Sequence, residues 1–510
     1  MFRSQSSKHQ DGVQDSPQKW GELSGRYQED VVLLRQIFEG DDPIEFRELS
    51  TGKARDLPAC LVFCDGLVDV PIIDSHLIRP LLSMEKLPRG EFSADALLSQ
   101  VLQINSAKTT KDCAEIIQGI TYGDTLLLME GLDEAILFST KGFSSRSISE
   151  PEGEKVLSGP REGFTEVLVT NVSMVRRKLR TERLKMRYYK LGAQSATQLC
   201  IAYLDGVADP ETLEELYRRL DRIDIDGVLD ANYVNELIRD QPWSPFRSTG
   251  YTERPDVVSA KLLEGRIAVF VDGTPVVLTL PYLFIENFQS NEDYYLNFYF
   301  TSFSRLLRIL GFFLTILVPA IYIAIVAYHQ EMLPAPLLIS IATERQSVPL
   351  PAALEAFVML IIFEILRETA LRMQANVGQA LSIVGALVVG QAAVEAKLVA
   401  APMLIIVALS GITSLLVPKM NAPILLIRFG ILLLASCLGF LGVTIGFALL
   451  LIHILGLSSF GLWQLAPDRK IRYQHVKDTA IRAPWYQMLL RPQQLSPNPM
   501  RQKRNPEEPP

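Results

Sequence analysis

The chain has 510 residues, 57 acidic and 50 basic, for a net charge of −7, and 48% of it is hydrophobic. That length exceeds one ordinary domain and suggests three, and the acidic balance argues against a nucleic-acid binder as a whole. The average hides a division: residues 1–300 read as an acidic soluble protein, whereas 306–457 hold few charges and the long apolar runs that cross membranes.

Residues 1–24 are a polar tail, expected to be disordered and lacking the apolar core of a signal peptide. Residues 25–150 read as a first cytoplasmic α/β domain. Arg26 to Phe38 has helical periodicity and is stopped by Gly40-Asp41-Asp42-Pro43. A strand follows at ACLVFCDG (59–66), a helix near IIDSHLIRPLLSM (72–84), and a hairpin whose strands flank Gly131.

A second unit echoes the first. Gly52, Cys60, Asp65, Gly66 and Asp69 recur as Gly192, Cys200, Asp205, Gly206 and Asp209, all at an offset of 140. Gly123 and Gly131 recur as Gly265 and Gly273 at an offset of 142. A duplication and two merely similar small domains both fit, because Asp-Gly turns occur in any α/β fold.

Between the units, residues 151–192 read as a basic connecting helix, with eight basic residues and one acid, Glu182, from Arg176 to Lys190. A nucleic-acid site and an anionic membrane surface are alternatives. The preferred reading is a solvated face pairing with the acidic run at 209–227. The second cytoplasmic α/β domain covers 193–300. Within it Asp209-Pro210 opens a helix and the three prolines of 241–256 make a rigid loop. The aromatic residues of 284–303 suit a belt at the headgroup level.

The membrane domain is placed at 301–460. Arg305 and Arg308 mark the cytoplasmic edge of its first span, 306–328, and Pro319 is a kink point. Residues 334–351 are too interrupted to span and read as a re-entrant or surface piece. Further candidates are 351–373, 376–396, 398–417 and 423–457, the last long and able to bend at Gly439, Gly442 and Gly446. Five crossings conflict with the basic tail 461–510, whose Arg469, Lys470, Arg472, Lys477 and Arg482 place it on the same cytoplasmic side as the front domains. The charged 351–373 is therefore read as an interfacial helix.

Residues 351–397 carry the functional expectation. Glu364, Arg367, Glu368 and Arg372 share one helical side among leucines and isoleucines. Glu364, Arg367 and Glu368 are candidates for coupling the membrane part to the front domains; Glu364–Arg367 and Glu368–Arg372 as plain helix pairs is the alternative. Charge within a bilayer costs about 2.5–3.5 kcal/mol per residue on insertion scales, so it faces protein or water rather than lipid. In 376–396 the small residues Gly378, Ser382, Gly385 and Ala386 allow close helix approach. Another face holds Leu381, Val384, Val388, Gln391 and Glu395: apolar rings that can gate by dewetting, then a polar mouth favouring cations. Packing in an ordinary bundle core is the alternative.

The segments GPREGFTE (159–166), IDIDG (223–227), TERPD (252–256), LLEGRIAVFVDGTPVVLTLP (262–281), FQSNEDYY (288–295), FEILRE (363–368) and VGQAAVEAKLVAAPM (389–403) resemble the conserved blocks of the A subunits of GerA-type spore germination receptors. The likeness runs from about residue 25 to residue 480. It implies a multi-pass protein of the spore inner membrane with a two-part cytoplasmic front region. It also implies a transporter-like B subunit and a lipoprotein C subunit as partners, and a homo-oligomeric ring, a pentamer, that conducts cations when nutrient binds. An amplifying channel of the same family is the alternative the resemblance leaves open, and a secondary solute transporter is a third reading. Lys397 departs from the pattern, standing where a small residue is expected.

No enzyme is expected. His9, His76, His329, His453 and His475 are scattered, and neither GxxxxGK[ST] nor GxGxxG occurs. Cys60, Cys64, Cys113, Cys200 and Cys437 lack zinc spacing and read as reduced, buried thiols. No cofactor, metal or nucleic acid is called for; the expected surroundings are the lipid bilayer and permeating cations.

Overall fold

The computed structural model describes residues 20–51, 57–84, 93–102, 104, 106–142, 150–151, 153–156, 158–372, 388–465, 477–492, 495–497 and 500–501. Two α/β units come first. In the first, helix α1 (Tyr27–Ile37) precedes strands β1 (Ile44–Ser50) and β2 (Pro58–Cys64). Helix α2 follows as consecutive segments Val70–Ile72, Ile73–Ile78 and Arg79–Leu82, then α3 (Ala94–Gln100), β3 (Ala107–Thr110), α4 (Cys113–Thr121), β4 (Asp124–Met129) and β5 (Ala135–Ser139). The second unit contains α5 (Leu168–Lys178), β6 (Leu184–Leu191), β7 (Thr197–Leu204), α6 (Pro210–Leu220), α7 (Ala231–Ile238), β8 (Gly250–Thr252), α8 (Pro255–Leu263), β9 (Ile267–Val271) and β10 (Val277–Leu280).

The two sheets have the same wiring. Their orders are β1-β2-β4-β5-β3 and β6-β7-β9-β10-β8, with every neighbour antiparallel. Central strands are buried on both faces, which is why they read as unbroken apolar runs rather than alternating ones. In β2, Cys60 and Val62 pack toward α1 and α4, while Leu61 and Phe63 pack toward α2 and α3. In β7, Cys200 and Ala202 face α5 and α8, and Leu199 and Ile201 face α6 and α7. The local chemistry repeats as well. Asp69 and Asp209 each accept a backbone N–H as helix caps, and Gly66 and Gly206 turn with φ of +76° and +73°. Ser24 donates its amide and hydroxyl to Asp30 as Thr165 does to Asn171, again about 140 residues apart.

The basic run is not one connecting helix. Its first residues end α5 and its last form β6, whose Leu184 and Met186 point inward to the sheet core. Toward 209–227 the Tyr189 hydroxyl donates to Asp221, while two of the run's cations, Arg176 and Lys185, are buried rather than solvated. Arg176 and Lys185 reach back to the first unit, where Arg176 is ion-paired with Asp41 and Lys185 donates to Ile37 O at 2.9 Å. Arg177 and Lys178 hold Glu162 at 2.7 and 3.0 Å. The run is the joint between the two units.

A helical bundle follows: α9 (Phe298–Tyr328), α10 (Ala335–Arg345), α11 (Ala352–Arg372), α12 (Ala401–Ser414), α13 (Asn421–Leu438) and α14 (Phe440–Leu455). Among the described residues, Phe298–Tyr328 and Pro418–Leu438 are long and apolar enough to cross a membrane; Ala401–Ser414 and Phe440–Leu455 are apolar but shorter. The expected single segment 423–457 is two helices. Gly439 (φ +61°, ψ −136°) reverses the chain, in a backbone region that glycine alone adopts without strain. At that turn Tyr328 Oη donates to Ser436 O (2.5 Å), so the reversal lies at the far end of α9. The other end of the hairpin returns to the α/β units, where Gln241 donates to Gly456 O and Ser244 meets His453.

Helix α11 does not lie apart along a surface. Ala356 and Leu360 are fully buried, and the helix descends from the far end, where Glu355 accepts the Ala400 amide, toward the middle of α13. The aromatic stretch 284–303 also splits. Phe284 and Phe288 join a buried cluster with Phe246 and Phe312, while Tyr299, Phe300 and Phe303 are exposed on α9.

Candidate functional site

Charged and polar groups from four bundle helices meet between α11 and α13. Arg428 enters from α13 with its side chain 1% exposed and pairs with Glu364 of α11. The other oxygen of Glu364 accepts from Arg367 at 2.6 Å, one turn along the same helix. Arg428 also donates to Ser410 Oγ of α12 (3.2 Å), and Ser410 in turn donates to the Thr315 carbonyl of α9 (3.0 Å). The Thr315 hydroxyl closes onto Thr413 at 2.8 Å. A lone guanidinium in an apolar interior is costly, so the sequence can keep Arg428 only where a carboxylate and a hydroxyl converge.

The expected charged stripe is graded rather than uniform. Side-chain exposure rises from 14% at Glu364 and 21% at Arg367 to 58% at Glu368 and 79% at Arg372. Glu368 and Arg372 pair with each other at 2.6 Å in the open. The stripe therefore begins inside the bundle and leaves it. Arg428 escaped sequence reasoning although the signal was present: it is the single charge in ILLIRFGILLLASC. An ionisable residue inside an apolar span is a functional candidate by default. Glu355 is a second fully buried charge in the bundle, binding the Ala400 amide (2.6 Å) ahead of α12 and Arg345 (3.3 Å).

Of the expected pore and packing residues, Gly378, Leu381, Ser382, Val384, Gly385 and Ala386 lie outside the described residues. Val388 is 57% exposed, and Gln391 and Glu395 are exposed beside it, with Gln391 donating to Glu395 at 2.9 Å. The opposite side of this turn faces the bundle: Gly390 lies against Leu404 at a distance a methyl group would crowd. Lys397 has φ +56°, a conformation that favours glycine or asparagine, which accounts for the small residue expected there.

Where the bundle meets the second α/β unit, Arg305 is fully buried between Asp293 (2.8 Å) and Asp478 of the tail (2.8 Å), and Arg308 adds a second cation to Asp293 (2.9 Å). Tyr294 donates to Asp478 at 2.9 Å. Glu286 is gripped by Arg266 and Lys261. Burial opposes its ionisation, but the two cations outweigh that and hold its carboxyl below the ordinary 4.5. The described tail thus folds back onto the α/β region, with Arg491 donating to Leu263 O and Ser496 to Val207 O. Among the described residues no cluster of metal-ligating side chains occurs.

Comparison with known proteins gives a consistent result. The family model described as Bacillus/Clostridium GerA spore germination protein matches residues 32–494. The chain is 40% identical to spore germination protein KA of Bacillus subtilis over 91% of its own length and 85% of the relative's. It is 39% identical to a B. subtilis membrane protein, YfkQ, described as uncharacterized, over 92% and 91% of the two chains. Spore germination protein B1 of B. subtilis is 33% identical over 93% and 98%. Among solved structures, the N-terminal domain of the A subunit of the Bacillus megaterium germinant receptor GerK3 aligns with 29% identity and a TM-score of 0.39, covering 52% of this chain and 98% of that one.

Proposed function

The chain belongs to the GerA family of spore germination proteins, and from that premise we propose that it is the A-type subunit of a nutrient receptor whose helical region lines a cation pathway. The observation that carries the reading is the outward face of Val388, Gln391 and Glu395. These residues sit on the exterior of a single-chain bundle, beside apolar helices. Lipid rejects a carboxylate there, so in a membrane that face needs a neighbouring subunit or water. A ring of identical chains supplies both: small residues such as Gly390 seat the helix, and Val388 and Glu395 border an axis. A pentamer is the proposed ring, with a transporter-like B subunit and a lipoprotein C subunit as partners.

The proposed setting is the spore inner membrane, with the α/β units and the tail on the cytoplasmic side. Support comes from the cations at the α/β end of the bundle, Arg305, Arg308, Lys419 and Arg482, which follow the positive-inside pattern. The role is non-enzymatic. The test is conduction by the receptor reconstituted in liposomes. Val388→Ala is expected to raise the unstimulated leak, and Glu395→Gln to lower cation-over-anion selectivity. A detergent-extracted particle with the mass of one A chain, or conduction unchanged in both variants, overturns the reading.

A further inference from the structure

A cavity of about 190 Å³ lies where four parts of the chain meet: α8 of the second α/β unit, the lead-in to α9, the turn between α12 and α13, and the returning tail. An apolar cavity of about 150 Å³ accepts benzene, so this one accommodates a molecule of one ring or a branched chain. Tyr294, Tyr295 and Trp485 form much of its wall, and Tyr282 contributes another ring. The hydroxyls of these three tyrosines are already committed, Tyr282 to Asn287, Tyr294 to Asp478 and Tyr295 to Asp256; Tyr251 lines the cavity as well. What these rings offer a ligand is therefore their apolar surface.

The charges are as unequal as the polarity. Glu286 is neutralised by Lys261 and Arg266, Asp256 by Arg254 (2.9 Å), and Glu264 by Arg501 (3.1 Å). Glu154 accepts from the Thr252 hydroxyl and from the Glu253 amide (3.1 Å). Lys419, in the turn ahead of α13, lines the same cavity and has no hydrogen bond or ion pair among the described residues, the carboxylates of Glu154 and Glu286 acting on it from beyond ion-pair distance. We propose that this cavity binds a small organic carboxylate, its anion on Lys419 and its apolar body against the tyrosine and tryptophan rings. An ammonium held beside apolar walls is a strong partner for a carboxylate, because water competes poorly there. Such a ligand touches the α/β unit, the bundle and the tail at once, so its binding ties the three together. The proposal does not rest on the channel reading.

The experiment uses the full chain in neutral detergent, with benzoate, benzamide and benzylamine as probes of one shape and three charges, read by ligand-observed NMR and by melting temperature. Benzoate is expected to bind in the low millimolar range or better and to raise the melting temperature, with the other two weaker. Lys419→Met should weaken benzoate by about tenfold or more, the loss of one charge-assisted hydrogen bond, while Lys419→Arg retains it. The Met variant removes a partly buried charge that no direct hydrogen bond or ion pair holds, so it should melt no lower than the parent, which separates lost binding from lost fold. Benzoate binding that is unchanged in Lys419→Met, absent in the parent at saturating millimolar concentration, or matched by benzylamine overturns the proposal.

Discussion

Glu364 and Arg428 should be unequal partners. Replacing Glu364 by Met leaves the guanidinium of Arg428, 1% exposed, with Ser410 Oγ as its hydrogen-bond partner in the interior. Breaking a buried pair in that way costs about 3–5 kcal/mol, because the cation cannot shed its charge. Replacing Arg428 by Met leaves Glu364 still paired with Arg367 at 2.6 Å, so only one charge-assisted contact is lost, about 1.5–3 kcal/mol. Changing both to Met removes the orphaned charge altogether and should recover much of the Glu364→Met loss, since apolar replacement of a buried pair is often neutral or better. Hydrogen exchange of the α13 amides in the full chain in detergent reports the local opening free energy on each variant. Arg428→Met as damaging as Glu364→Met would refute the inequality, and a double variant equal to the sum of the singles would show that the two side chains do not interact.

Two further outcomes follow from buried charges in the α/β region. Asp41→Ala strands Arg176 and should open the β6 amides by about 3–5 kcal/mol at neutral pH, where the parent's Asp41 is ionised; Arg176→Met instead leaves a carboxyl that can take a proton. Burial already pushes Asp41 above its ordinary 3.8, so a raised folded pKa makes the Arg176→Met defect smallest in acid and larger as pH rises toward neutrality. A pH-independent Arg176→Met defect, followed by hydrogen exchange, would contradict this. Glu286 behaves oppositely: its folded pKa is depressed below 4.5, so its stabilisation is present above the ordinary value and disappears as pH falls through the folded one. Glu286→Gln should flatten the acid limb of the melting curve, and an unchanged limb would show that the ion pair with Arg266 and Lys261 carries no stability.

Local chemistry was readable where it repeats or punctuates. The paired Asp-Gly turns at 65–66 and 205–206 pointed to two like units, and the sheet orders bear that out to the last strand. The helix before Gly40 and the strand at 59–64 carry strong local signals. Edge strands did not. β1 and β3 are polar on their open sides, and what makes them strands is pairing with β2 and β5 rather than their own composition. The basic run misled because charge composition outweighed alternation: LKMRYYKL buries Leu184 and Met186 and is a strand whatever its charge. In the helical region, 423–457 reads as one segment with a bend allowed at Gly439, Gly442 and Gly446; the structure makes that bend at Gly439 a full reversal, which hydropathy alone does not mark.

That reversal changes how the bundle is tied to the rest of the chain. With α13 and α14 folded back on each other, the end of α14 and the start of α13 lie at the same end as the α/β units. His453 and Gly456 meet the 241–244 loop there, and Lys419 meets the cavity beside α8. Half-way along, α13 holds Arg428 against Glu364, and Val388, Gln391 and Glu395 follow α11 in the sequence. On the proposed channel reading, a displacement of the second α/β unit is expected to reach α11 through α13 and its ion pair, with Ser410 and Thr315 linking α12 and α9 to the same point. On that reading, Glu364 rather than the exposed Glu368 is therefore the coupling candidate: among the described residues Glu364 is bonded to a second helix and its loss leaves Arg428 buried, whereas Glu368 pairs with Arg372 in the open.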